Sequence, residues 1–550
     1  MSFLQLVRRE TRGSLRKLVF MSGIGGISSA AILAAINTGA QAVDDTHKPS
    51  LWAATLFVIS LFLYLRTQVY VTTIVTAEIE AIIHRLRVRL MDNVRRSELL
   101  AIERIGRSRI FTAITSDAAM LTQASNTLCY TMQGVVVVFF VALYVAYLSL
   151  VAFVLSVVIL VAAGTIFHYR SRRLVAERAK AAAQERRLFD RLADFLDGFK
   201  EVRLNSARSS DLFDDAVAVS RTAANIKIGA QVDTLRQIVS TQAYVYVLLG
   251  TVVFVAPLFS ETLTGGSIMK TTTALLFVVG ASLGLVQSIP IFSNANAAAG
   301  RLEQLDADLH ATALTEPVDE TRVVKRFDKI EMRNVVFTYF DRFSEKAFTM
   351  GPINFTLRTG ELVFITGGNG SGKSTFLRVF AGLYPPDSGE ITLDGMRIND
   401  HTRDTYRSLM SGIFFDYHLF HRLYGMPDAD PAEVDRLLTQ FRLEDKTGLS
   451  GGEFRTLDLS GGQRRRLALI VSLLEKRPIL LLDEWTAEQD PEFRRKFYDE
   501  LLPDMMRSGA TIVVITHDDR YLDELRLSAR RIRMDEGRIV EERSIQSGDG

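Results

Sequence analysis

The sequence predicts an all-helical membrane domain with six spanning helices, followed by a soluble α/β domain. Of its 550 residues, 48% are hydrophobic, and the mean hydropathy of +0.14 is high for a wholly soluble protein. Six apolar runs occur before residue 300, each long enough, at about 20 residues, to cross a hydrocarbon core. Farther along, a glycine-rich loop at 367–375 lies between a strand-like run at 361–366 and a helix-like run at 376–382. These three observations indicate the two domains.

The six apolar runs differ in how firmly they predict spanning helices. Ser149 and Leu150 lie near the turn between the third and fourth, which therefore form a tight hairpin. A buried core helix is the alternative for the weaker fifth run. The first follows a basic N-terminus without a convincing small-residue cleavage site; we expect a retained helix, with a cleaved signal peptide as the alternative. The runs span approximately residues 18–40, 51–73, 126–148, 151–169, 241–259 and 271–292.

The segments between these helices indicate orientation. Those after the second and fourth helices run for about fifty and seventy charged residues and should continue as helical stalks. Residues 81–110 contain eight arginines, whereas the short loop 43–49 contains two aspartates and one lysine. Because positive charge favours the cytoplasmic side, we expect the long loops, the N-terminus and the soluble domain in the cytoplasm. The predicted divisions are a membrane domain at 1–300, a linker at 301–326 and a soluble domain at 327–550.

The glycine-rich loop has the composition of a phosphate-binding loop (P-loop). Its glycines let backbone N–H groups surround a β-phosphate, Lys373 reaches the β- and γ-phosphate oxygens, and Ser374 is placed to ligate Mg²⁺. The loop alone predicts ATP or GTP with Mg²⁺, but kinases, GTPases, helicases and transporters all carry one. The predicted phosphate-binding residues are Gly367, Gly368, Asn369, Gly370, Ser371, Gly372, Lys373, Ser374 and Thr375.

Three downstream motifs identify the class of nucleotide-binding protein. The sequence LSGGQ ends at Gln463, ILLLDE ends at Glu484, and TIVVITHD ends at Asp518. In this order and spacing, over about residues 327–540, they resemble the ATP-binding cassette (ABC) family. The resemblance implies ATP as the nucleotide. Since one chain carries one cassette, it also implies a second copy, in a domain-swapped homodimer with two shared ATP sites.

The resemblance assigns roles around the hydrolysed phosphate. Asp483 would hold Mg²⁺ through its water shell, and Glu484 would act as the general base or orient the attacking water. His517 matches the histidine that hydrogen-bonds the γ-phosphate and that water. Together with Lys373, Glu484 and His517 form the predicted catalytic set. Tyr339 matches the aromatic residue that stacks on adenine, with a strand tyrosine packed on the sheet as the alternative.

The resemblance also implies residues that act across the dimer. Ser460 and Gly462 would contact the γ-phosphate bound to the opposite cassette, and Asp490 fits the loop that joins the two sites. In full, the signature residues are Ser460, Gly461, Gly462 and Gln463. One position departs from the family pattern, because Phe415 stands where a glutamine senses the metal. Its neighbour Asp416 is the predicted replacement metal ligand, with a surface-loop acid as the alternative.

Six helices before one cassette resemble the exporter type of ABC half-transporter. In that fold the tips of the long loops form coupling helices that rest on the cassettes, and the candidate tips here are 106–115 and 204–212. Three stretches are similar to bacterial cyclic-peptide and siderophore-precursor exporters, the group with the pyoverdine, syringomycin and microcin-related transporters: DGFKEVRLN, FFDYHLFHRLYG and DEWTAEQDPEFRRKFY. This similarity implies peptide export from the cytoplasm to the periplasm across the bacterial inner membrane.

Other functions remain open from sequence. A lipid or lipopeptide flippase, or an importer built on the exporter fold, fits the same motifs. An ATP-gated regulatory membrane protein fits less well, because a gate needs no catalytic carboxylate such as Glu484. The net charge of +2 gives no basic field for nucleic acid, so we expect no nucleic-acid partner. The expected partners are a second copy, membrane lipid and a peptide-type substrate. Cys129 is the sole cysteine, which excludes an intrachain disulfide.

Overall fold

The computed structural model describes residues 3–10, 15–259, 265–311, 326–340 and 347–545. The chain divides into two compact units. The first, here the membrane unit, comprises Met1–Asp92 and Ser108–Ala307. The second, here the cassette unit, comprises Asn93–Arg107 and Asp308–Gly550. The cassette unit therefore includes a short piece of the first long loop as well as the C-terminal part of the chain.

Long helices make up the membrane unit. Five helical stretches of the described residues are long and apolar enough to cross a membrane: Phe20–Val43, Leu51–Arg96, Arg107–Leu148, Leu150–Phe167 and Ser206–Phe259. They overlap the first five predicted runs, and the sixth, 271–292, lies in the last long helix. The helices from the N-terminus to this one are α1 Phe3–Glu10, α2 Leu15–Thr46, α3 Leu51–Arg96, α4 Leu99–Ile105, α5 Arg107–Thr112, α6 Ala118–Leu148, α7 Leu150–Asp197, α8 Phe199–Leu204, α9 Ser206–Gly250 and α10 Gly265–His310. Irregular turns are Ala113–Asp117 and Thr251–Val255 (both π) and Ala256–Phe259 (3-10).

The predicted hairpin and stalks are present. Ser149 adopts an extended conformation that ends α6, and its side chain accepts a hydrogen bond from the N–H of Ala152 to cap α7. Helices α7 and α9 have 48 and 45 residues, about 70 Å each at 1.5 Å per residue, well beyond a hydrocarbon thickness of about 30 Å. They pack against each other. The charged loops after the second and fourth spans are therefore helical continuations of those spans.

Close packing in the membrane unit depends on a small residue. Helix α2 packs against α6, and a Cβ atom added to Gly26 would overlap the side chain of Val136. In contrast, no heavy atom lies within 4 Å of a Cβ added to Gly23 on the same helix. Small residues that let helices approach are typical of packing inside membranes, where lipid tails are as apolar as the side chains.

The cassette unit contains two main sheets. A four-stranded sheet has the order β2-β1-β4-β5, and a six-stranded sheet has the order β12-β11-β3-β10-β9-β6. In the latter, neighbours from β11 to β6 are parallel, and β12 pairs antiparallel at one edge. The strands are β1 Lys329–Phe340, β2 Ala347–Arg358, β3 Leu362–Gly367, β4 Ser388–Leu393, β5 Met396–Arg397, β6 Met410–Ile413, β7 Leu449–Ser450, β8 Glu453–Phe454, β9 Ile479–Asp483, β10 Thr511–Ile515, β11 Ala529–Asp535 and β12 Arg538–Ile545. The helices are α11 Lys373–Phe380, α12 Arg403–Arg407, α13 Pro431–Gln440, α14 Gly461–Leu474, α15 Pro491–Lys496, α16 Leu502–Arg507 and α17 Asp519–Asp523, with turns at Trp485–Glu488 (3-10) and Phe497–Leu501 (π).

The parallel strands explain why the motifs meet. β9 and β10 are buried at every position, as is all of β3 except its last residue. Such continuous apolar runs are typical of strands covered on both faces. Ile515 pairs with Ile365 on one side and with Asp483 on the other. Because parallel neighbours end at the same edge, the P-loop, Glu484 and His517 follow their strands at one edge of the sheet.

The tip of the first long loop lies earlier than predicted. The residues that cluster with the cassette are Asn93–Arg107, whereas most of the predicted tip, 106–115, belongs to the membrane unit. Helix α4 ends at Gly106, whose φ of 87° suits glycine. The second predicted tip, 204–212, begins at the end of α8, and the turn itself is at Asn205. The predicted linker, 301–326, starts inside α10, and residues 312–325 lie outside the described residues.

Candidate nucleotide site

The P-loop has a backbone that only glycine accommodates at two positions. Gly367 has a φ of 151°, and a Cβ there would overlap the carbonyl oxygen of Met534. Gly372 has a φ of 94° and caps α11, and a Cβ there would lie 2.9 Å from the ring of Phe348. The loop therefore keeps its backbone N–H groups accessible at the start of α11, where the helix dipole favours an anion.

Lys373 folds back over the loop. Its Nζ donates hydrogen bonds to the carbonyl oxygens of Gly367, at 3.1 Å, and Gly368, at 2.9 Å. Burial lowers the pKa of Lys373, while the nearby carboxylates of Glu484 and Asp483 act in the opposite direction. A buried lysine whose hydrogen bonds in the described structure go to neutral carbonyls is suited to exchange them for phosphate oxygens.

The side chains of Ser374 and Asp483 lie close together in an arrangement that suits Mg²⁺ binding. The Ser374 hydroxyl lies 3.3 Å from Oδ1 of Asp483, whose side chain is buried. The Oδ2 atom of Asp483 is buried with no hydrogen-bond partner in the described structure. Burial is the largest cause of a raised pKa of Asp483, which a divalent cation would reverse. In the described parts of the chain no three His, Cys, Asp or Glu side chains are grouped to hold a metal, so phosphate oxygens and water would complete this site.

Asp416 makes a different contact from the other two predicted metal ligands, Ser374 and Asp483. Its carboxylate is 59% exposed and pairs with Arg378 at 3.3 Å. Arg378 in turn donates to the hydroxyl of Tyr384 at 3.2 Å. This arrangement connects Asp416 with Arg378, which lies one helical turn after Ser374 on α11. Its role as a metal ligand stays a prediction.

Glu484 and His517 are in contact. The Oε1 atom of Glu484 lies 3.2 Å from Nε2 of His517. Glu484 has a φ of 49°, a left-handed conformation that costs a non-glycine residue about 1–3 kcal/mol and is concentrated at functional sites. Next to His517, the Asp518 carboxylate accepts a hydrogen bond from Thr486 at 2.7 Å. The contact between Thr486 and Asp518 therefore connects the segments that carry Glu484 and His517. Such a connection is what a pair of water-orienting side chains needs.

Tyr339 lies beside the P-loop through its strand partner. It pairs with Phe348 across β1 and β2, and directly opposed residues of an antiparallel pair share one face. The Phe348 ring is the group that a Cβ at Gly372 would meet. Tyr339 itself is 39% exposed. An exposed aromatic ring at this place suits stacking on a base, and the role stays a prediction.

The signature residues begin α14. Ser460 is the N-cap, its side chain accepting from the N–H of Gln463, while the Gln463 side chain accepts from the N–H of Ser460 at 3.0 Å. This capping box fixes the helix start. A Cβ on Gly462 would lie 2.7 Å from the carbonyl oxygen of Glu488, and one on Gly461 would meet the Glu488 side chain. The two glycines therefore allow the segment after Glu484 to approach the signature loop.

Asp490 holds that segment to α14. One oxygen accepts from the N–H of Phe493 at 2.8 Å to cap α15, and the other pairs with Arg466 at 2.6 Å. The N–H of Phe493, followed by Arg466, lowers the pKa of Asp490. Gln489 also donates to the carbonyl of Gly462 at 3.1 Å. The loop after the catalytic carboxylate and the signature loop therefore form one connected surface.

Two residues near the site, Arg465 and Tyr384, are not identified by the sequence motifs. Arg465 is buried beneath Glu484, although the run RRR reads as a solvated helix start. The buried Tyr384 donates at 2.8 Å to Glu103, which lies in the part of the first long loop that belongs to the cassette unit, Asn93–Arg107, here called the docked segment. A single tyrosine or arginine carries no local sequence pattern, so only the fold shows which residue each of them contacts.

The comparisons with known proteins agree with this geometry. The family model described as "ABC transporter" matches residues 350–487. The "ATP-binding protein SyrD" of Pseudomonas syringae pv. syringae is 33% identical over 531 residues, which cover 94% of this chain and 92% of that protein. The "Mycobactin import ATP-binding/permease protein IrtB" of Mycolicibacterium thermoresistibile is 34% identical, over 39% of this chain and 38% of that protein. An "ATP-dependent lipid A-core flippase" of Pseudomonas putida is 34% identical, over 41% of this chain and 38% of that protein.

A solved structure shares the fold along nearly the whole chain. It is described as a bacterial Atm1-family ABC exporter with ATP bound. The TM-score is 0.74 at 19% identity, covering 96% of this chain and 95% of that one. The likeness includes the helical part and the cassette, in agreement with the predicted fold class. With a P-loop cassette following apolar spanning helices, this chain belongs to the ABC transporters as an exporter-type half-transporter that hydrolyses ATP.

Proposed function

We propose that two copies of this chain form a homodimer in the bacterial inner membrane that uses ATP and Mg²⁺ to export a peptide-type substrate from the cytoplasm to the periplasm. The observation that carries the ATP-driven part is the contact of Glu484 with His517 beside an intact P-loop. The peptide class rests on the similarity of three stretches to peptide exporters. The relative of similar length, SyrD, matches through the membrane unit as well as the cassette.

The proposed chemistry uses residues already in place. Lys373 leaves its two carbonyl acceptors for the β- and γ-phosphate oxygens, and the P-loop N–H groups surround the β-phosphate. Ser374 and Asp483 would hold Mg²⁺, which would neutralise the charge that develops as the phosphate bond breaks. Glu484 accepts a hydrogen bond from the attacking water, and His517 orients that water and the γ-phosphate. Tyr339 stacks on adenine.

Each ATP site is completed by the second copy. Ser460 and Gly462, at the start of α14, contact the γ-phosphate bound to the opposite cassette, where the helix dipole favours the anion. One chain supplies one P-loop and one signature loop, so a homodimer contains two equivalent sites. In this arrangement Asp490 and Gln489 stabilise the surface on which both loops depend.

The docked segment Asn93–Arg107 links the cassette to the membrane helices. Glu98, 14% exposed, pairs with Arg403 at 3.1 Å and with Arg407 at 2.6 Å. Leu99 and Leu100 pack against the apolar core of the cassette. The segment continues directly into α3 on one side and α5 on the other. We infer that movement of the cassette is transmitted to both helices through this covalent connection.

A chain of polar contacts connects the segment with the nucleotide site. Glu103 accepts from the buried Tyr384, Tyr384 accepts from Arg378, and Arg378 pairs with Asp416. Arg378 lies on α11, which starts at the P-loop. These three contacts connect the helix that starts at the P-loop with the docked segment.

The membrane unit contains a cavity of suitable character. It has a volume of about 180 Å³ and lies among α7, α9 and α10. Phe167 and Tyr244 contribute aromatic surface, and Thr241 and Ser282 contribute hydroxyl groups. Among the lining side chains that the structure describes, none is charged. Such a lining favours an amphipathic or neutral polar substrate over a small ion.

A transport assay tests the proposal. Purified protein in inside-out liposomes should take up labelled cyclic peptides or lipopeptides with ATP and Mg²⁺, and Glu484→Gln should abolish uptake. Loss of uptake in the variant would establish peptide export. Robust ATP hydrolysis without uptake of any peptide would reject the peptide class.

Lipid flipping is the second candidate. The apolar lining of the cavity favours it, and two lipid A-core flippase relatives match over 241 and 311 residues, or 41% and 53% of this chain. The same liposomes, with a fluorescent lipid in the outer leaflet, distinguish the two functions. ATP-dependent protection of the lipid from a membrane-impermeant quencher, without peptide uptake, would favour flipping.

A further inference from the structure

Arg465 is a buried arginine at the start of the signature helix. Its side chain is 2% exposed and lies five residues beyond the N-cap Ser460. Burying a guanidinium is costly unless its donors are engaged. Arg465 donates from one terminal nitrogen to the carbonyl oxygen of Glu484, and its other terminal nitrogen lies 3.3 Å from a carboxylate oxygen of Glu488. Its position therefore requires a specific reason.

The contacts of Arg465 place it against the backbone of the proposed catalytic residue, Glu484. The Glu484 carbonyl that it binds belongs to the residue with the left-handed backbone. The N–H of Glu484 donates to the carbonyl of Ile515 at 3.0 Å. Glu484 is thus held from both sides, by β10 and by Arg465. A hydrogen bond from a charged donor offsets part of the cost of the strained conformation.

A reciprocal hydrogen bond completes the connection. The indole N–H of Trp485, which is fully buried, donates to the backbone carbonyl of Arg465 at 2.8 Å. The side chain of residue 465 therefore binds the backbone of residue 484, and the side chain of residue 485 binds the backbone of residue 465. Two opposed contacts restrict rotation of Glu484 more than one contact would.

Aromatic rings enclose the guanidinium. Its central carbon lies 5.7 Å from the ring centroid of Phe415 and 6.0 Å from that of Tyr417, both within cation–π range. Phe415 stands where the family pattern has a metal-sensing glutamine. The unusual residues Phe415 and Trp485 thus surround the same arginine.

We propose that Arg465 is a positioning residue for ATP hydrolysis, which holds the strained Glu484 backbone so that its carboxylate faces the attacking water. This role rests on the proposed function, in which Glu484 orients that water. Because α14 also begins at the signature loop, Arg465 connects this loop with the carboxylate on the same cassette.

The test uses Arg465→Gln and a matched control on the neighbouring arginine. Arg464 is exposed, so Arg464→Gln removes the same charge without the contacts to Glu484. The full-length protein is purified, and the kcat of ATP hydrolysis, the KM, the dissociation constant of a fluorescent ATP analogue and the melting temperature are measured. Arg465→Lys and Trp485→Phe are measured alongside.

We expect Arg465→Gln to lower kcat about 10- to 100-fold, as small displacements of catalytic groups do. The dissociation constant of the nucleotide should stay within about twofold, because the P-loop is untouched. Arg464→Gln should retain wild-type kcat. Arg465→Lys should be intermediate, because an ammonium keeps the charge but not the planar fork that reaches two acceptors.

Several results would overturn the role. They are a kcat of Arg465→Gln within twofold of wild type, an equal loss in Arg464→Gln, or a raised KM with unchanged kcat. If Arg465→Gln is not recovered as a folded dimer, Arg465→Lys decides: a reduced kcat with normal nucleotide binding supports the role, and wild-type kcat contradicts it. Glu484→Gln distinguishes failure of the Arg465 role from failure of the proposed function, because full hydrolysis in that variant would reject the proposed site itself.

Discussion

The cassette unit and the membrane unit differ in what a single residue determines. In the cassette, Gly372 is the residue that a turn with φ of 94° beside Phe348 requires, and Asp483 is the acid beside the P-loop serine. In the membrane unit, many large apolar side chains such as Phe62 and Phe139 are exposed, and we expect exchange among apolar residues there to change little. The chemistry of the chain is therefore specified position by position, whereas its spanning helices are specified mainly by length and apolarity.

This difference has a consequence for function. Hypotheses about ATP use can name single atoms, since phosphate and Mg²⁺ have demanding geometry. The substrate cannot be assigned in the same way, because an apolar lining excludes ions but accepts many neutral solutes. The two units are joined by the docked segment Asn93–Arg107, so substitutions there test whether they act together.

The largest expected effect is the loss of ATP hydrolysis when the proposed catalytic carboxylate in the cassette unit is replaced. Glu484→Gln should reduce ATP hydrolysis by at least about 100-fold while leaving ATP binding intact, because the amide no longer attracts the proton of the attacking water. Phosphate release by the purified protein measures it. Glu492→Gln, at an exposed acid on α15, is the control and should hydrolyse ATP normally. Full activity in Glu484→Gln would reject the site.

A glycine substitution sharpens the claim that single backbone positions matter in the P-loop. Gly372→Ala should weaken ATP binding about tenfold or more, because the new methyl group forces the loop away from Phe348 and the positive φ adds about 1–2 kcal/mol of strain. Titration with a fluorescent ATP analogue measures it. Gly395→Ala has a similar φ of 84° but open space, so it should lose stability without losing ATP affinity. Equal ATP affinity in both variants would contradict the role of the Phe348 contact.

The docked segment provides the test of communication between the units. Glu98→Gln should lower the substrate transported per ATP hydrolysed by about five- to tenfold, because it removes a largely buried carboxylate that holds both Arg403 and Arg407. Transport and phosphate release in the same liposomes give this ratio. Asp400→Asn removes the exposed partner of Arg403 and should leave the ratio near wild type. A similar loss in both variants would argue for a general effect of Arg403.

The smallest effect tests packing in the membrane unit. Gly26→Val should destabilise the unit by about 1–3 kcal/mol, because the new side chain overlaps Val136 on α6. Thermal unfolding in detergent measures the change. Gly23→Val on the same helix has open space and carries the same change in helix propensity, so it should have a much smaller effect. Equal melting temperatures would show that α2 and α6 separate freely.

The sequence predicts most of the fold and names the motif residues that the structure brings to one edge of the sheet, for physical reasons. Apolar runs must be long enough to cross a membrane, so five of the six were found again as spanning helices of the described chain and the sixth lies within α10. P-loop glycines are required by backbone conformation, so the motif marks them. The docked segment was placed too late in the chain, because a charged helix tip has no distinctive pattern. Arg465 and Tyr384 were missed because their neighbours are distant in sequence and close only in the fold.

The most direct test of the account is the ratio of substrate transported to ATP hydrolysed, measured in one preparation of inside-out liposomes. The wild type, Glu484→Gln and Glu98→Gln are compared with a labelled lipopeptide panel. We expect coupled uptake and hydrolysis in the wild type, loss of both in Glu484→Gln, and hydrolysis with reduced uptake in Glu98→Gln. Continued ATP-dependent uptake in Glu484→Gln, or an unchanged ratio in Glu98→Gln, would contradict the claim that chemistry in the cassette drives the membrane unit through the docked segment.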